Sequence, residues 1–252
     1  MRPTRLVLVL LALFVVVGCG TAHDLRRVGG LTVHTFHRDN TNVHVVVRGR
    51  SAVMIDSGYE RNARELDEAM RAAGIDPADV SPIVLSHGHA DHAGGARYFQ
   101  QRYGARVVAG RGDAPMLTTG RNEPLCPTGL IGAIRRSGDE GARYTPTDAT
   151  LVDDTMNLAP TTGIEGRVVV LPGHTPGSTV VVLGEAAFVG DLFRGGIVGD
   201  TAETHFYMCD LDDNRRDIRA LLDRIAPAAT VFFTGHFGPV ARDEVESLAP
   251  RR

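Results

Sequence analysis

The chain has 252 residues, 43% of them apolar, which suits one domain with a full hydrophobic core. A formal charge of −3 excludes polyanion binding driven by net charge, so no nucleic-acid partner is expected. All 27 basic residues are Arg and none is Lys, so a substrate anion would have to be met by an Arg.

The chain opens with a basic stretch containing Arg2 and Arg5. An unbroken apolar run follows, from Leu6 to Val17. That run is short for a membrane span, which needs roughly 17–25 residues, and suits the core of a signal peptide. It ends in Val16-Val17-Gly18-Cys19, which resembles the cleavage box of bacterial lipoproteins, where the Cys becomes the lipid-modified first residue. The expectation is a lipoprotein signal peptide over residues 1–18, a lipidated Cys19 with a tether over 19–30, and the folded domain over 31–252. Such a protein is exported to the cell envelope and meets the membrane through Cys19. Cys126 and Cys209 would then lie outside the cytoplasm, where they either pair or stay as isolated buried thiols; the sequence leaves both open.

Val43 to Val47 and Ala52 to Ile55 are β-rich runs joined by Arg48-Gly49-Arg50-Ser51, which predicts a hairpin closed by Asp56-Ser57-Gly58. Arg61 to Ala73 predicts a helix, with Leu66, Met70 and Ala73 on one face and Gly74 as its stop. Pro82 to Leu85 is a short buried strand, Ala93 to Tyr103 a second helix, and Arg106 to Ala109 another strand. Residues 111–147 are rich in Gly, Pro, Thr and Arg with weak periodicity, which predicts a long functional loop or lid. Arg111-Gly112-Asp113 within it spells an integrin tripeptide by chance. Strands are predicted at 149–152, 166–171, 178–183 and 186–189. A helix over Asp213 to Ile225 and a strand over Thr230 to Thr234 follow. This order suggests two packed sheets with helices outside.

The densest chemistry is Ser86-His87-Gly88-His89-Ala90-Asp91-His92, which gathers three of the chain's 10 His and a carboxylate. Such a run has few uses other than holding a metal. Three more candidates sit at strand ends or turns: His174 in Leu171-Pro172-Gly173-His174-Thr175-Pro176-Gly177, Asp191 in Phe188-Val189-Gly190-Asp191, and His236 in Thr234-Gly235-His236-Phe237-Gly238. Each alone reads as an ordinary turn residue.

Together, His87-x-His89-x-Asp91-His92, His174, Asp191 and His236 resemble the metallo-β-lactamase superfamily in motif and order, over roughly residues 31–245. The resemblance implies an α/β fold: a four-layer αβ/βα sandwich with metals at the mouth between its sheets. It implies that His87, His89 and His174 hold one metal and that Asp91, His92 and His236 hold a second, with Asp191 bridging. The expected cofactor is two Zn2+, with iron or manganese as alternatives. The implied activity is a metal-dependent hydrolase, in which two metals acidify a shared water that attacks an ester, lactone, thioester or amide carbonyl, and Asp91 orients it. Asp56 either steadies a metal ligand or simply closes a turn.

A carboxylate at Asp191, where β-lactamases of the superfamily place Cys or Ser, is nearer the glyoxalase II and lactonase branch. The alternatives are a mononuclear iron enzyme like the persulfide dioxygenases, a β-lactamase, or a non-hydrolytic metal-binding lipoprotein. Contacts to a small-molecule substrate are expected from the 111–147 loop and from Arg194, His205 and Tyr207. Cys209 fits core packing or a disulfide better than a metal.

Overall fold

The computed structural model describes residues 21–249, so the expected signal peptide over 1–18 and Cys19 lie outside the described residues. The first sheet runs in spatial order β1 (Ala22–Val28), β2 (Leu31–Arg38), β3 (Thr41–Arg48), β4 (Ser51–Ile55), β5 (Val80–Val84), β6 (Val107–Gly110) and β7 (Thr150–Val152). It is antiparallel from β1 to β4 and parallel from β4 to β7. Its crossovers carry α1 (Ala63–Ala72), α2 (Ala90–Ala93), α3 (Ala96–Tyr103), α4 (Ala114–Thr119) and α5 (Leu130–Gly141). Then come β8 (Thr155–Asn157), α6 (Ala159–Thr162), β9 (Arg167–Val170), β10 (Thr179–Leu183) and β11 (Ala186–Gly190). A small hairpin, β12 (Arg194–Gly195) and β13 (Ala202–Glu203), precedes α7 (Leu211–Ala220), β14 (Val231–Thr234), β15 (Val240–Ala241) and α8 (Arg242–Leu248). The second sheet is ordered β15-β14-β11-β10-β9-β8.

Strand alternation builds four layers from these parts. Val45 on β3 and Met54 on β4 pack with Leu66, Met70 and Phe99 of α1 and α3. Their neighbours Val46 and Val53 point the other way, onto Val181, Phe188 and Phe233 of the second sheet. Beyond that sheet, Val180 and Phe232 meet Ile218 and Leu222. Three apolar interfaces therefore separate helix, sheet, sheet and helix, the expected αβ/βα sandwich. Fully burying one such side chain is worth about 1.5–3 kcal/mol, so the sandwich is a rigid frame for the loops at its end.

The predicted strands fall within a residue or two of those observed. The helix expected over Ala93 to Tyr103 is broken in two at Gly94-Gly95. A Cβ on Gly95 would run into the Ser57 carbonyl, so the break lets the loop after β4 close against α2. Two expectations are corrected. Within the tether expected over 19–30, Ala22–Val28 form β1, an edge strand paired with β2 along its length. It is polar because all but Val28 is exposed, and a charged edge strand looks like linker in a sequence. The 111–147 segment is not a structureless lid; it holds α4 and α5. α5 carries three glycines, poor helix formers, in its twelve residues, and its apolar Leu130, Ile131 and Ile134 face solvent.

Candidate metal centre

The ends of β4, β5, β11 and β14 converge, and each delivers part of the site. After β5 the chain carries His87, His89, Asp91 and His92; His174 lies in the turn leading into β10; Asp191 follows β11 and His236 follows β14. His87, His89, His92, His174, Asp191 and His236 are all buried or nearly so, and Asp91 is partly open to a cleft.

Hydrogen bonds to one nitrogen of each ring decide which nitrogen is left over. Ser86 Oγ has a single proton and gives it to Asp56 Oδ2 at 2.8 Å, so it accepts from His87 Nδ1 at 3.0 Å. His92 Nδ1 donates to Asp56 Oδ2 at 2.9 Å, His174 Nδ1 to the Tyr207 carbonyl at 3.0 Å, and His236 Nδ1 to the Asn40 carbonyl at 2.6 Å. In all four rings the Nε2 lone pair is thereby aimed inward, the arrangement metal-ligating imidazoles use.

The inward atoms lie at ligand-to-ligand distances. His92 Nε2 and His236 Nε2 are 3.4 Å apart, and each is 3.5 Å from Asp91 Oδ2. His89 Nδ1 and His174 Nε2 are 3.3 Å apart. Donors about 2.0–2.1 Å from a tetrahedral centre stand about 3.3–3.4 Å from one another. His87 Nε2, His205 Nε2 and Asp191 Oδ1 are buried yet make no hydrogen bond, which buried polar atoms rarely tolerate without a partner. The residues present therefore fit metal ions. Four groupings can hold one: His87, His89 and His174; His87, His92 and Asp191; Asp91, His92 and His236; and His174, Asp191 and His205.

Electrostatics agree with that role. Burial drives His89 down to about 4 and His174 and His205 to about 3, and it lowers His87 well below its ordinary value with help from His92 and His89. These rings are neutral and keep the lone pair a metal needs. For His92 and His236 burial is the largest single influence and works downward, but the carboxylates of Asp191 and Asp91 together, with Asp56 for His92, outweigh it and raise both. Burial opposes ionisation of Asp91 and Asp191, yet the surrounding imidazoles hold both below the usual carboxylate range.

Two carboxylates hold this frame. Asp56, in a left-handed conformation after β4, accepts from the Ser86 amide at 2.6 Å as well as from His92, so it steadies ligands. Asp113 is fully buried and accepts from Gly88 N at 2.7 Å, Gly177 N at 2.7 Å and Thr175 Oγ1 at 2.8 Å, tying the first ligand loop to that of His174. The chance tripeptide thus contains a structural residue that the sequence did not reveal.

The three expected substrate contacts separate. His205 belongs to the centre itself: its Nε2 is 3.1 Å from Asp191 Oδ2. Tyr207 lines the cleft, but its hydroxyl donates to Asp139 Oδ2 at 2.6 Å. Arg194 is buried away from the cleft lining; it donates to the Gly195 carbonyl at 2.9 Å, pairs with Glu203, and lies over the Phe206 ring. The cation that lines the cleft is instead Arg135 of α5, beside Asp139. Cys126 and Cys209 form a disulfide.

Residues 38–236 match the family model of the Metallo-beta-lactamase superfamily, and the chain belongs to that superfamily. It is 32% identical over 158 residues to the Beta-lactamase hydrolase-like protein of Xylella fastidiosa (strain Temecula1 / ATCC 700964), a match covering 62% of this chain and 33% of that one. To hydroxyacylglutathione hydrolase GloC of Haemophilus influenzae it is 28% identical over 155 residues, 59% of this chain and 64% of that one. The chain thus spans less than two thirds of these curated relatives. A solved metallo-beta-lactamase family protein from Thermus thermophilus superposes with a TM-score of 0.62 at 23% identity, covering 88% of this chain and 79% of that one, and shares the fold.

Proposed function

We propose that the protein is a dinuclear zinc-dependent hydrolase that cleaves an ester, lactone, thioester or amide in a small molecule. The observation that carries this reading is the position of Asp191. Its Oδ2 is 3.8 Å from His87 Nε2 and from His174 Nε2, 3.5 Å from His92 Nε2 and 3.2 Å from His236 Nε2, so it lies between two ligand groups. His87, His89 and His174 would hold one ion and Asp91, His92 and His236 the other, with Asp191 shared. Imidazole and carboxylate donors without thiolate suit zinc, and also iron or manganese. When bound, such a pair supplies Lewis acidity and acidifies a shared water.

The chain's own residues do the rest. Asp91 lines the cleft and is ionised, so it can orient an attacking water and take its proton. Thr41 Oγ1 donates to Asp91 Oδ2 at 3.4 Å and helps to hold it. Arg135 offers a substrate carboxylate a cation at the mouth. Likeness to a hydroxyacylglutathione hydrolase supports a thioester as one of these substrates.

The reading includes export and a lipid anchor on Cys19. It is supported by the apolar leader and its cleavage box, and by the Cys126–Cys209 disulfide, a bond that persists in oxidising compartments. The test is elemental analysis of the purified protein beside a screen of chromogenic esters, lactones, thioesters and a cephalosporin. Two zinc per chain, with turnover abolished in Asp91→Ala, is expected. One iron per chain without hydrolysis overturns the reading in favour of the iron oxygenase.

A further inference from the structure

We propose that the mouth of the metal cleft rests against a lipid bilayer, with α5 lying in the headgroup layer. The inference rests on the anchoring of Cys19 proposed above and is independent of the hydrolase chemistry.

The first observation is where the chain enters the fold. β1 begins at the end of the sheet that carries the metal ligands. Ala22 pairs with His37, next to the turn whose Asn40 carbonyl holds His236. Thr21 shares a small cavity with Thr41, Ser57 and Gly58. Thr41 contacts Asp91, and the adjoining residues Asn40 and Tyr59 line the cleft itself. Cys19 is two residues upstream of Thr21, and two extended residues reach at most about 7 Å. Acyl chains on Cys19 therefore bring this end of the sandwich to the bilayer surface. The headgroup and acyl boundary in which interfacial helices lie is about 5–10 Å deep, and the cleft opens at the end of the sandwich turned toward it.

The second observation is an apolar surface around the same mouth. Leu130, Ile131 and Ile134 are 77%, 49% and 72% exposed and form one stripe on α5. Arg135 and Asp139 of that helix turn instead into the cleft. On another side of the site, Ile197 and Val198 are 52% and 87% exposed at the tip of the β12–β13 hairpin. That hairpin leaves Asp191 and packs Arg194 over the cleft residue Phe206. Five of the seven exposed large hydrophobic residues among those described are in these two places. The acyl chains hold the protein at the bilayer, and apolar side chains that enter the headgroup layer bury additional surface there, which favours this orientation over others. The whole chain carries −3, and without Arg2 and Arg5 of the leader the anchored form carries −5, so its surface has no general attraction to anionic lipid and neutral phosphatidylcholine is the partner it fits.

The chain has no Trp, which makes the test direct. Full-length Ile134→Trp and, at the opposite end of the sheet, full-length Arg50→Trp are expressed with their leader and reconstituted into phosphatidylcholine vesicles with and without brominated lipid. The expected result is acyl mass on Cys19, with blue-shifted emission and bromine quenching for Ile134→Trp, and neither effect for Arg50→Trp. Acylation without quenching of Ile134→Trp, or equal quenching of both, overturns the orientation alone. Absence of acyl mass overturns the anchor and this inference together. A blue shift that appears without vesicles and grows with protein concentration assigns the stripe to a second copy of the chain, and also overturns it.

Discussion

His205 Nε2 stands 3.1 Å from Asp191 Oδ2, in a ring that is itself stacked on His236. A sixth imidazole is therefore present beside the five of the motif. If it helps to hold a metal, His205→Ala loses affinity at the His174 and Asp191 side while the Asp91, His92 and His236 group keeps its ion. The expected loss is about 10–100-fold, the scale seen when a partner of a metal ligand is removed. Chelator competition with metal counting reads it. Unchanged affinity with a raised KM would return His205 to the substrate.

Asp113 presents a different dependence. Asp113→Ala leaves the amides of Gly88 and Gly177 and the Thr175 hydroxyl without their acceptor in a buried site. Each buried donor left unpaired costs about 1–3 kcal/mol. The variant is expected to lose at least about 3 kcal/mol in urea unfolding and to bind metal more weakly, because the loops of His87 and His174 separate. A stable variant with normal metal content would show that these loops do not need Asp113.

The metal motif was legible in the sequence because a cluster of imidazoles so close together has little other use. The sandwich was legible because strands buried on both faces, such as β4 and β11, read as apolar runs. Other parts carried no such signal. His205 is a single ring in a stretch without periodicity. Asp113 acts on backbone amides of loops distant in sequence. β1 is held by ladder hydrogen bonds rather than by side-chain burial. α5 carries Gly132, Gly138 and Gly141, which read as loop residues, and Arg194 looked free until Glu203 was placed beside it.

Arg135 and Arg194 exchange roles relative to the sequence expectation, and two substitutions separate them. Arg135→Ala is expected to raise KM for substrates with a carboxylate by about 10-fold or more, since hydrogen bonds to charged groups contribute about 1.5–3 kcal/mol. Its stability changes little, because the residue is 41% exposed. Arg194→Ala is expected to lower the melting temperature without a selective effect on anionic substrates. Steady-state kinetics on matched neutral and acidic substrates decides between these outcomes.

Reduction of the Cys126–Cys209 bond should loosen the cleft. The bond spans 83 residues, and the Met208 amide donates to the Cys126 carbonyl beside it at 2.8 Å. Closing a loop of that size is worth about 4.5 kcal/mol in the chain-entropy model. The Cys126→Ala, Cys209→Ala pair is expected to unfold at lower urea, by a free energy of that order. Faster hydrogen exchange is expected in α5 and at His205 to Cys209. Exchange that quickens uniformly over the molecule would count against a local clamp.

His44 supplies the acid sensitivity of the frame. It is buried in the middle of β3, its Nε2 donates to the Thr234 carbonyl at 3.1 Å, and Thr35 Oγ1 lies 3.0 Å from its Nδ1. Burial lowers it to about 4, against 6.5 for a free imidazole. The unfolded chain therefore binds a proton at this position that the folded chain refuses. Stability is fully present above about pH 6.5 and falls as the pH drops towards about 4. The slope is at most about 1.4 kcal/mol per pH unit. In metal-free protein, His44→Gln should flatten the dependence of unfolding free energy on pH across that window by roughly one proton. An unchanged slope would place the titration in the rings of His89 and His174, which are depressed in the same direction.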